Sequence, residues 1–280
     1  MRFSRRGYGL PAIKIWVAFA SCVTGDFVLQ KADENEPRSS ATVNSTVLND
    51  VGGISPIPFL PHANGYLAKV TNAVSKFRAL TPLGTTNCGK RVKTSATAKA
   101  HGCQYATNGS PFNMDTGACD CGISVSNSTQ IGSGGFHPGF GATADGHWVI
   151  GTLNSTAVGS LHVTEFISGF SWLVRAGKNV ANNGSYVAPR TAIGTTPEGH
   201  LLMLEVDGCE PARGCKGDLG KTESAMAELL LQNGAFHAIN LDGGGSSTTV
   251  KKGKVINRPT DTDHWAIRRE RAVTMVACVV

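Results

Sequence analysis

Apolar residues fall in short runs along most of this chain. Five runs have the length and composition of strands: "HWVIGTL" from His147, "FSWLVRAG" from Phe170, "HLLMLEVDG" from His200, "FHAINLDG" from Phe236 and "AVTMVACVV" from Ala272. Each is rich in apolar or β-branched residues and bounded by Gly, Asp or Pro. "ADGHW" and "KKGKV" carry hairpin-turn chemistry. Helical patterning shows in two places, a short stretch over Thr94–Ala100 and a longer one over Lys221–Asn233. In the longer one Ala225, Met226, Leu229 and Leu230 share a face, Thr222 is the N-cap candidate and Gly234 the stop. A helix feeding straight into the Phe236 run predicts a mixed α/β fold with a β-rich core and few helices.

This globular pattern begins at Tyr66 and continues to Val280, which predicts a single catalytic-sized domain over residues 66–280 with no internal repeat. The stretch before it is polar, carries Pro37, Pro56, Pro58 and Pro61, and has no sustained period. Residues 26–65 therefore predict a flexible leader or loosely attached arm. Arg2, Arg5, Arg6 and Lys14 precede "IWVAFASCV" and a run of small residues, the pattern of a secretory signal peptide over residues 1–25. A cut after Ala20 also fits. The alternative is an N-terminal anchor, but the apolar run is far shorter than the ~20 residues of a spanning helix.

Composition adjusts this picture in two ways. The 280 residues are 41% hydrophobic and 16% charged, as in an ordinary soluble globular protein. The formal charge is +6, and loss of the four leader cations would leave +2. No basic patch is interleaved with aromatics, so nucleic acid is not an expected partner. Of eight cysteines, Cys22 would leave with the signal, and the seven that remain imply at least one free or intermolecular thiol. No pair of CxxC arms is present, which disfavours a zinc site, and no metal or other cofactor is expected. Sequons at Asn44, Asn127, Asn154 and Asn183 fit a glycosylated surface in the secretory lumen or outside the cell.

The richest chemistry lies in "HAINLDGGGSSTTV", His237 to Val250. Ala238, Ile239 and Leu241 read as a buried strand with Asp242 at its end. Gly243, Gly244 and Gly245 permit close approach of a ligand to bare backbone, and successive N–H groups can form an anion nest. Ser246 and Ser247 add hydroxyls. A carboxylate beside an anion-binding loop suits a reactive carbon next to a phosphate. A tight turn capped by Asp242 is the plainer alternative. The P-loop and dinucleotide fingerprints are absent.

"NLDGGGSST" at Asn240–Thr248 resembles the signature of the phosphodiester glycosidase family. "ATNGSPFNMDTGAC" at Ala106–Cys119 is similar to that family's N-G-G-F-F segment. "GSGGF" at Gly132, "SGFSWLVRAGK" at Ser168, "PRTAIGTTPEG" at Pro189 and "DG" at Asp207 follow in the family's order, so the resemblance runs from about Leu80 to the end. Ser110 and Pro111 depart from the Gly and Phe of animal members. The resemblance implies a hydrolase of the sugar–phosphate glycosidic bond in a sugar-1-phosphodiester on a glycan or glycoprotein. The expected reaction removes N-acetylglucosamine to expose a phosphomonoester such as mannose 6-phosphate. A hydrolase of another sugar-1-phosphodiester and a non-catalytic carbohydrate-binding domain are the competing expectations.

Roles follow from residue type and place. Asp242 is the expected catalytic carboxylate, as nucleophile or charge stabiliser. Arg190 is expected to grip phosphate with its planar fork, the alternative being an ion pair with Asp242 or Asp207. Asp207 is the second carboxylate or a turn cap, and Glu205 on the same strand face is a weaker candidate. Asn108 and Gly109 are expected at the substrate, with Asn108 bonding a sugar or phosphate oxygen, although Asn108 also stands in a sequon whose use would block the pocket. His237 reads as a core or supporting residue. The resemblance implies disulfides Cys88–Cys119 and Cys103–Cys278, with Cys121 competing for the place of Cys119; Cys209–Cys215 would close a short loop.

Overall fold

The structure is a computed structural model that describes residues 26–32, 42–48, 65–82, 89–119, 122–132, 137–210, 220–261 and 268–280. Twenty strands and three helices are arranged in three large sheets and one small one among these residues, and every paired strand runs antiparallel to its neighbour. This is the β-rich, helix-poor architecture that the apolar runs predict.

The first sheet holds β1 (Phe27–Lys31), β7 (Ser124–Ser126), β8 (Thr129–Ile131), β9 (Gly139–Thr143), β10 (His147–Gly151) and β11 (Val163–Ser168) in the order β1-β10-β9-β11-β7-β8. β9 and β10 are the hairpin forecast by "ADGHW". The second sheet holds β2 (Thr42–Leu48), β3 (Gly65–Thr71), β12 (Ser171–Arg175), β13 (Lys178–Asn179), β14 (Arg190–Thr195), β15 (Leu201–Val206) and β16 (His237–Asn240), ordered β13-β12-β16-β14-β15-β3-β2. The third holds β4 (Phe77–Leu80), β6 (Tyr105–Asn108), β17 (Thr249–Lys251), β18 (Lys254–Val255) and β20 (Val276–Val279), ordered β18-β17-β6-β20-β4.

Two departures from the sequence reading have simple causes. Phe27–Lys31 and Thr42–Leu48 fall in the stretch read as a loose arm, yet each pairs as an edge strand, on β10 and β3. Edge positions bury little and tolerate polar residues, so hydrophobic alternation does not announce them. "AVTMVACVV" is two strands rather than one. β19 (Ala272–Val273) pairs with β5 (Val92–Lys93), whereas β20 joins β4 and β6. The chain changes sheets at Thr274–Met275, and the Met275 carbonyl accepts from Gly109 N at 2.9 Å.

The main core lies between the sheets. Phe77, Phe140 and Trp148 are fully buried with ring centroids 5.0–5.8 Å apart. Trp148 Nε1 donates to Gly199 O at 2.8 Å, so its one polar atom is satisfied. Helix α1 (Thr94–Ala100) occupies the predicted residues and α2 (Ser155–Ser160) starts at Asn154. Helix α3 (Glu223–Gln232) covers the outer face of the second sheet through Met226, Ala227 and Leu230, and the Thr222 hydroxyl caps it by accepting from Ala225 N. No helix among the described residues is long and apolar enough to cross a membrane.

Cys103 and Cys278 are disulfide-bonded across 175 residues, tying the segment after α1 to β20. Cys119 and Cys209 are also in disulfides. The expected partners Cys88 and Cys215 lie outside the described residues, as do Cys121, the leader 1–25 and the side chain of Asn44.

Candidate active site at the junction of two sheets

The second and third sheets meet where β16 and β6 end. Asn108, the last residue of β6, is fully buried and joins them. Its Nδ2 donates to Asp242 O at 2.7 Å, and its Oδ1 accepts from Thr191 Oγ1 at 2.9 Å and Thr248 N at 3.1 Å. Asp242 N donates to Gly109 O at 3.0 Å. These bonds make Asn108 a clamp on both ends of the Asp242–Thr248 loop rather than a side chain reaching outward. They also occupy the amide nitrogen that glycosylation of its sequon would modify. Gly109 is needed for packing, because a Cβ there would lie 2.1 Å from Ile167 Cδ1.

Asp242 is half-buried, and its Oδ1 accepts from Gly243 N at 3.0 Å. The glycines after it do a different job from the one expected. Gly244 N donates to Pro189 O at 2.9 Å, and Ser246 N and Ser247 N close a 3-10 turn onto Gly243 O and Gly244 O. Those N–H groups are spent inside the loop. The loop's glycines instead let it lie flat on its neighbours: a Cβ on Gly243 would meet Pro189 O at 2.8 Å, and one on Gly245 would meet an Arg271 nitrogen at 2.4 Å.

Arg271 is the functional candidate that sequence reasoning passed over. Its Nη1 donates to Ser246 Oγ at 3.4 Å, and Nε and Nη2 are held by Asp261 O. It therefore brings a guanidinium to the serine end of the loop. The signal was the cluster Arg268, Arg269, Arg271 just before the last apolar run. Arg190 also adjoins the loop, its Cδ 3.9 Å from where a Cβ on Gly243 would stand. Its Nε donates to Lys221 O at 3.1 Å and its Nη2 to Tyr186 O at 3.0 Å, and its ion-pair partner is Glu223 at 3.7 Å rather than Asp242 or Asp207.

Behind the loop lies a second set of carboxyl groups. Glu205 and Asp207 project from the same face of β15 and its end, and both are buried. Asn257 Nδ2 bridges Glu205 Oε1 at 2.9 Å, Asp207 Oδ1 at 3.2 Å and Ser247 O at 3.1 Å. Arg258 N also donates to Asp207 Oδ1, at 2.7 Å. Burial, reinforced by the charge of Asp207, holds the Glu205 carboxyl well above the usual range. That shift favours the protonated, uncharged form of Glu205. A chain of contacts links this pair to the loop backbone: Asn257 donates to the Ser247 carbonyl, Thr191 Oγ1 lies 3.4 Å from Ser247 Oγ and donates to Asn108 Oδ1, and Asn108 donates to the Asp242 carbonyl.

Two further buried atoms border the loop without a hydrogen-bond partner among the described residues, Asn240 Oδ1 and Thr248 Oγ1. Unpaired buried polar atoms are costly, so these are places for a polar ligand or solvent. His237, at the start of β16, is buried and stays neutral, its pKa lowered to about 4 by burial and then by the charge of Arg175. No group of three metal-ligating side chains occurs among the described residues.

The site is thus a half-exposed carboxylate on a rigid glycine–serine loop, with a guanidinium at one end and a buried acid pair beneath. A family profile for phosphodiester glycosidase matches residues 101–280, and the chain belongs to that family. It is 34% identical over 242 residues to the bovine N-acetylglucosamine-1-phosphodiester alpha-N-acetylglucosaminidase, covering 77% of this chain and 44% of that protein. The human protein of that name is 32% identical over 260 residues, covering 81% of this chain and 49% of the relative. The chain therefore spans about half the length of these curated relatives. Its fold matches the zebrafish catalytic domain of the same enzyme, auto-inhibited by pro-peptide, with a TM-score of 0.73, 25% identity, and coverage of 92% of this chain and 88% of that one.

Proposed function

We propose that this chain removes N-acetylglucosamine from a sugar-1-phosphodiester on a glycoprotein glycan, leaving a phosphomonoester such as mannose 6-phosphate. The observation that carries this reading is half-buried Asp242 at the start of a clamped loop whose serine end, at Ser246, meets the Arg271 guanidinium. Asp242 faces the anomeric carbon and stabilises the positive charge that develops there. Arg271, positioned by Ser246 and Asp261, receives the departing phosphate. The anomeric carbon–oxygen bond breaks, its electron pair leaves with phosphate, and a water oxygen becomes the new anomeric hydroxyl. The proton released by that water is taken up by Asp242 or the departing phosphate.

Ordinary glycosidases protonate a poor alcohol leaving group. A phosphate ester oxygen is a far better leaving group, so an exposed general acid is not required. Arg190 then braces the entry to β14 against α3, Asn108 holds the loop, and Asp207 with Glu205 supports it from below. Hydrolysis in ¹⁸O-labelled water tests this reading. Label in the sugar's anomeric hydroxyl is the expected result, and label in the phosphate would mean attack at phosphorus and would end it.

The basic leader and the sequons together support a secretory-lumen protein carrying N-linked glycans. Peptide mapping of the protein secreted from a eukaryotic cell, with N-terminal sequencing, tests both.

A further inference from the structure

A cavity of about 300 Å³, lined by none of the candidate active-site residues, lies where turns of the first sheet meet the β3–β4 turn. Three turns meet there: the β3–β4 turn with Val74 and Ser75, the β7–β8 turn with Asn127 and Ser128, and the β9–β10 turn with Ala144 and Gly146. Arg78, Thr143, Thr164 and Glu165 complete the wall. The volume is at the lower end of the ~300–1,000 Å³ of ligand pockets, enough for one sugar ring rather than a large cofactor. The lining mixes hydroxyls, a guanidinium and a carboxyl with the small apolar surfaces of Val74 and Ala144. Such a mixture suits a sugar, which offers hydroxyls at its edge and C–H bonds on its face.

The wall is built rather than incidental. Arg78 Nη1 donates to Ser75 O at 3.0 Å and Phe77 O at 2.7 Å, which fixes the guanidinium against the turn. Buried Glu165 accepts from Ala79 N at 2.8 Å and from Asn127 N at 3.3 Å, tying the β7–β8 turn to β4. Asn127 and Ser128 both have left-handed backbone, with φ of 47° and 62°. Two such residues make the tight two-residue hairpin turn and hold Asn127 in one orientation.

Asn127 also opens an Asn-Ser-Thr sequon, and Asn127, Ser128 and Thr129 are all exposed. A sugar attached to Nδ2 therefore starts at the mouth of a sugar-sized polar cavity. We propose that Asn127 is N-glycosylated and that the first N-acetylglucosamine of its glycan seats in this cavity, between Arg78 and the β9–β10 turn. A short tether gives an effective concentration in the millimolar range, so even a weak sugar site is filled. This inference rests on the secretory-lumen reading above, because sequons are modified there.

The test uses the full chain secreted from a glycosylating eukaryotic cell, with its glycans trimmed by an endoglycosidase that leaves one N-acetylglucosamine on each asparagine. Peptide mapping should show Asn127 modified. The trimmed protein should melt roughly 2–4 °C above equally trimmed Thr129→Ala, which keeps Asn127 but loses the sequon. That gap should vanish in an Arg78→Ala background and between the same two proteins made in bacteria, where neither carries sugar. Unmodified Asn127 alongside modified Asn154 or Asn183 overturns the proposal and leaves the lumenal reading intact. So does equal melting of the two trimmed proteins. Absence of sugar from every sequon overturns both.

Discussion

Asp242, on the glycine–serine loop, and the Glu205–Asp207 pair beneath it are two carboxyl sites that differ in what surrounds them. Asp242 is half-buried, and its Oδ1 accepts from the backbone N of its own neighbour Gly243. Glu205 and Asp207 are buried and tied by Asn257, with Arg258 N adding a donor to Asp207. A carboxylate that faces solvent at the edge of a rigid loop can meet a substrate. A carboxyl pair sealed under that loop can only hold it in place, unless the loop opens. The contrast separates the group that reacts from the groups that position it, and it does so by burial and bonding rather than by residue type.

The sharpest way to break this comparison is Asp242→Asn, which keeps shape and removes charge. Turnover on an N-acetylglucosamine phosphodiester should fall at least ~100-fold while the melting temperature changes little, as expected for a group acting in the transition state. Near-normal turnover in the folded variant would move the reacting carboxylate to the buried pair.

Asn257→Leu should do the opposite. It strips the shared donor from Glu205, Asp207 and Ser247 O, so it should destabilise the fold by roughly 2–3 kcal/mol in urea unfolding, the scale for buried polar groups left unpaired. Activity per folded molecule should fall far less than in Asp242→Asn. A stable, inactive Asn257→Leu would mean that the pair takes part in chemistry.

The two arginines give a finer test. Arg271→Lys keeps the charge beside Ser246 but loses the fork, and should lower kcat/KM about 10-fold, since a planar guanidinium and a point-like ammonium hold phosphate differently. Arg190→Lys should affect melting more than kcat/KM, because its partners are Lys221 O, Tyr186 O and Glu223. Reversal of that ranking would restore Arg190 as the phosphate clamp.

The smallest effect is on the pH dependence of stability. Glu165 has its pKa raised to about 7 by burial, against the pull of Ala79 N, Arg78 and Asn127 N. Its protonated form is favoured in the fold, so its contribution is full below pH ~4.5 and is lost as pH rises toward 7. His237 has its pKa lowered to about 4, so its contribution is full above pH ~6.5 and is lost as pH falls toward 4. The two slopes oppose each other across the same window. Glu165→Gln should therefore have a melting temperature that falls less, or rises more, than the parent's as pH goes from about 4.5 to 7, measured by thermal unfolding, with buried Glu205 unchanged in both. Identical profiles for variant and parent would show that Glu165 does not contribute in this way.

How much of this was legible in the sequence follows from how local each feature is. Thr94–Ala100, the Thr222 cap, the two hairpin turns and the runs that became β10, β12, β15 and β16 depend on neighbours a few residues away, and period and turn chemistry are written at that range. The resemblance of "NLDGGGSST" to its family depends on order along the chain and was also readable. Sequence by itself thus determined the β-rich class, the family and the loop that carries Asp242. Tertiary structure alone decided what the parts of that loop do. The glycines, read as a bare anion nest, turned out to be where Pro189 and Arg271 press against backbone. Asn108 became a clamp because β6 and β16, whose first residues Tyr105 and His237 are 132 positions apart in the sequence, end side by side. Arg271 reached Ser246, and Asn257 found Glu205, only because the chain crosses between sheets at Thr274–Met275 and after β18. Contacts of that kind are set by the packing of three sheets against one another, and no pattern within a few residues of Asn108, Arg271 or Asn257 encodes their partners.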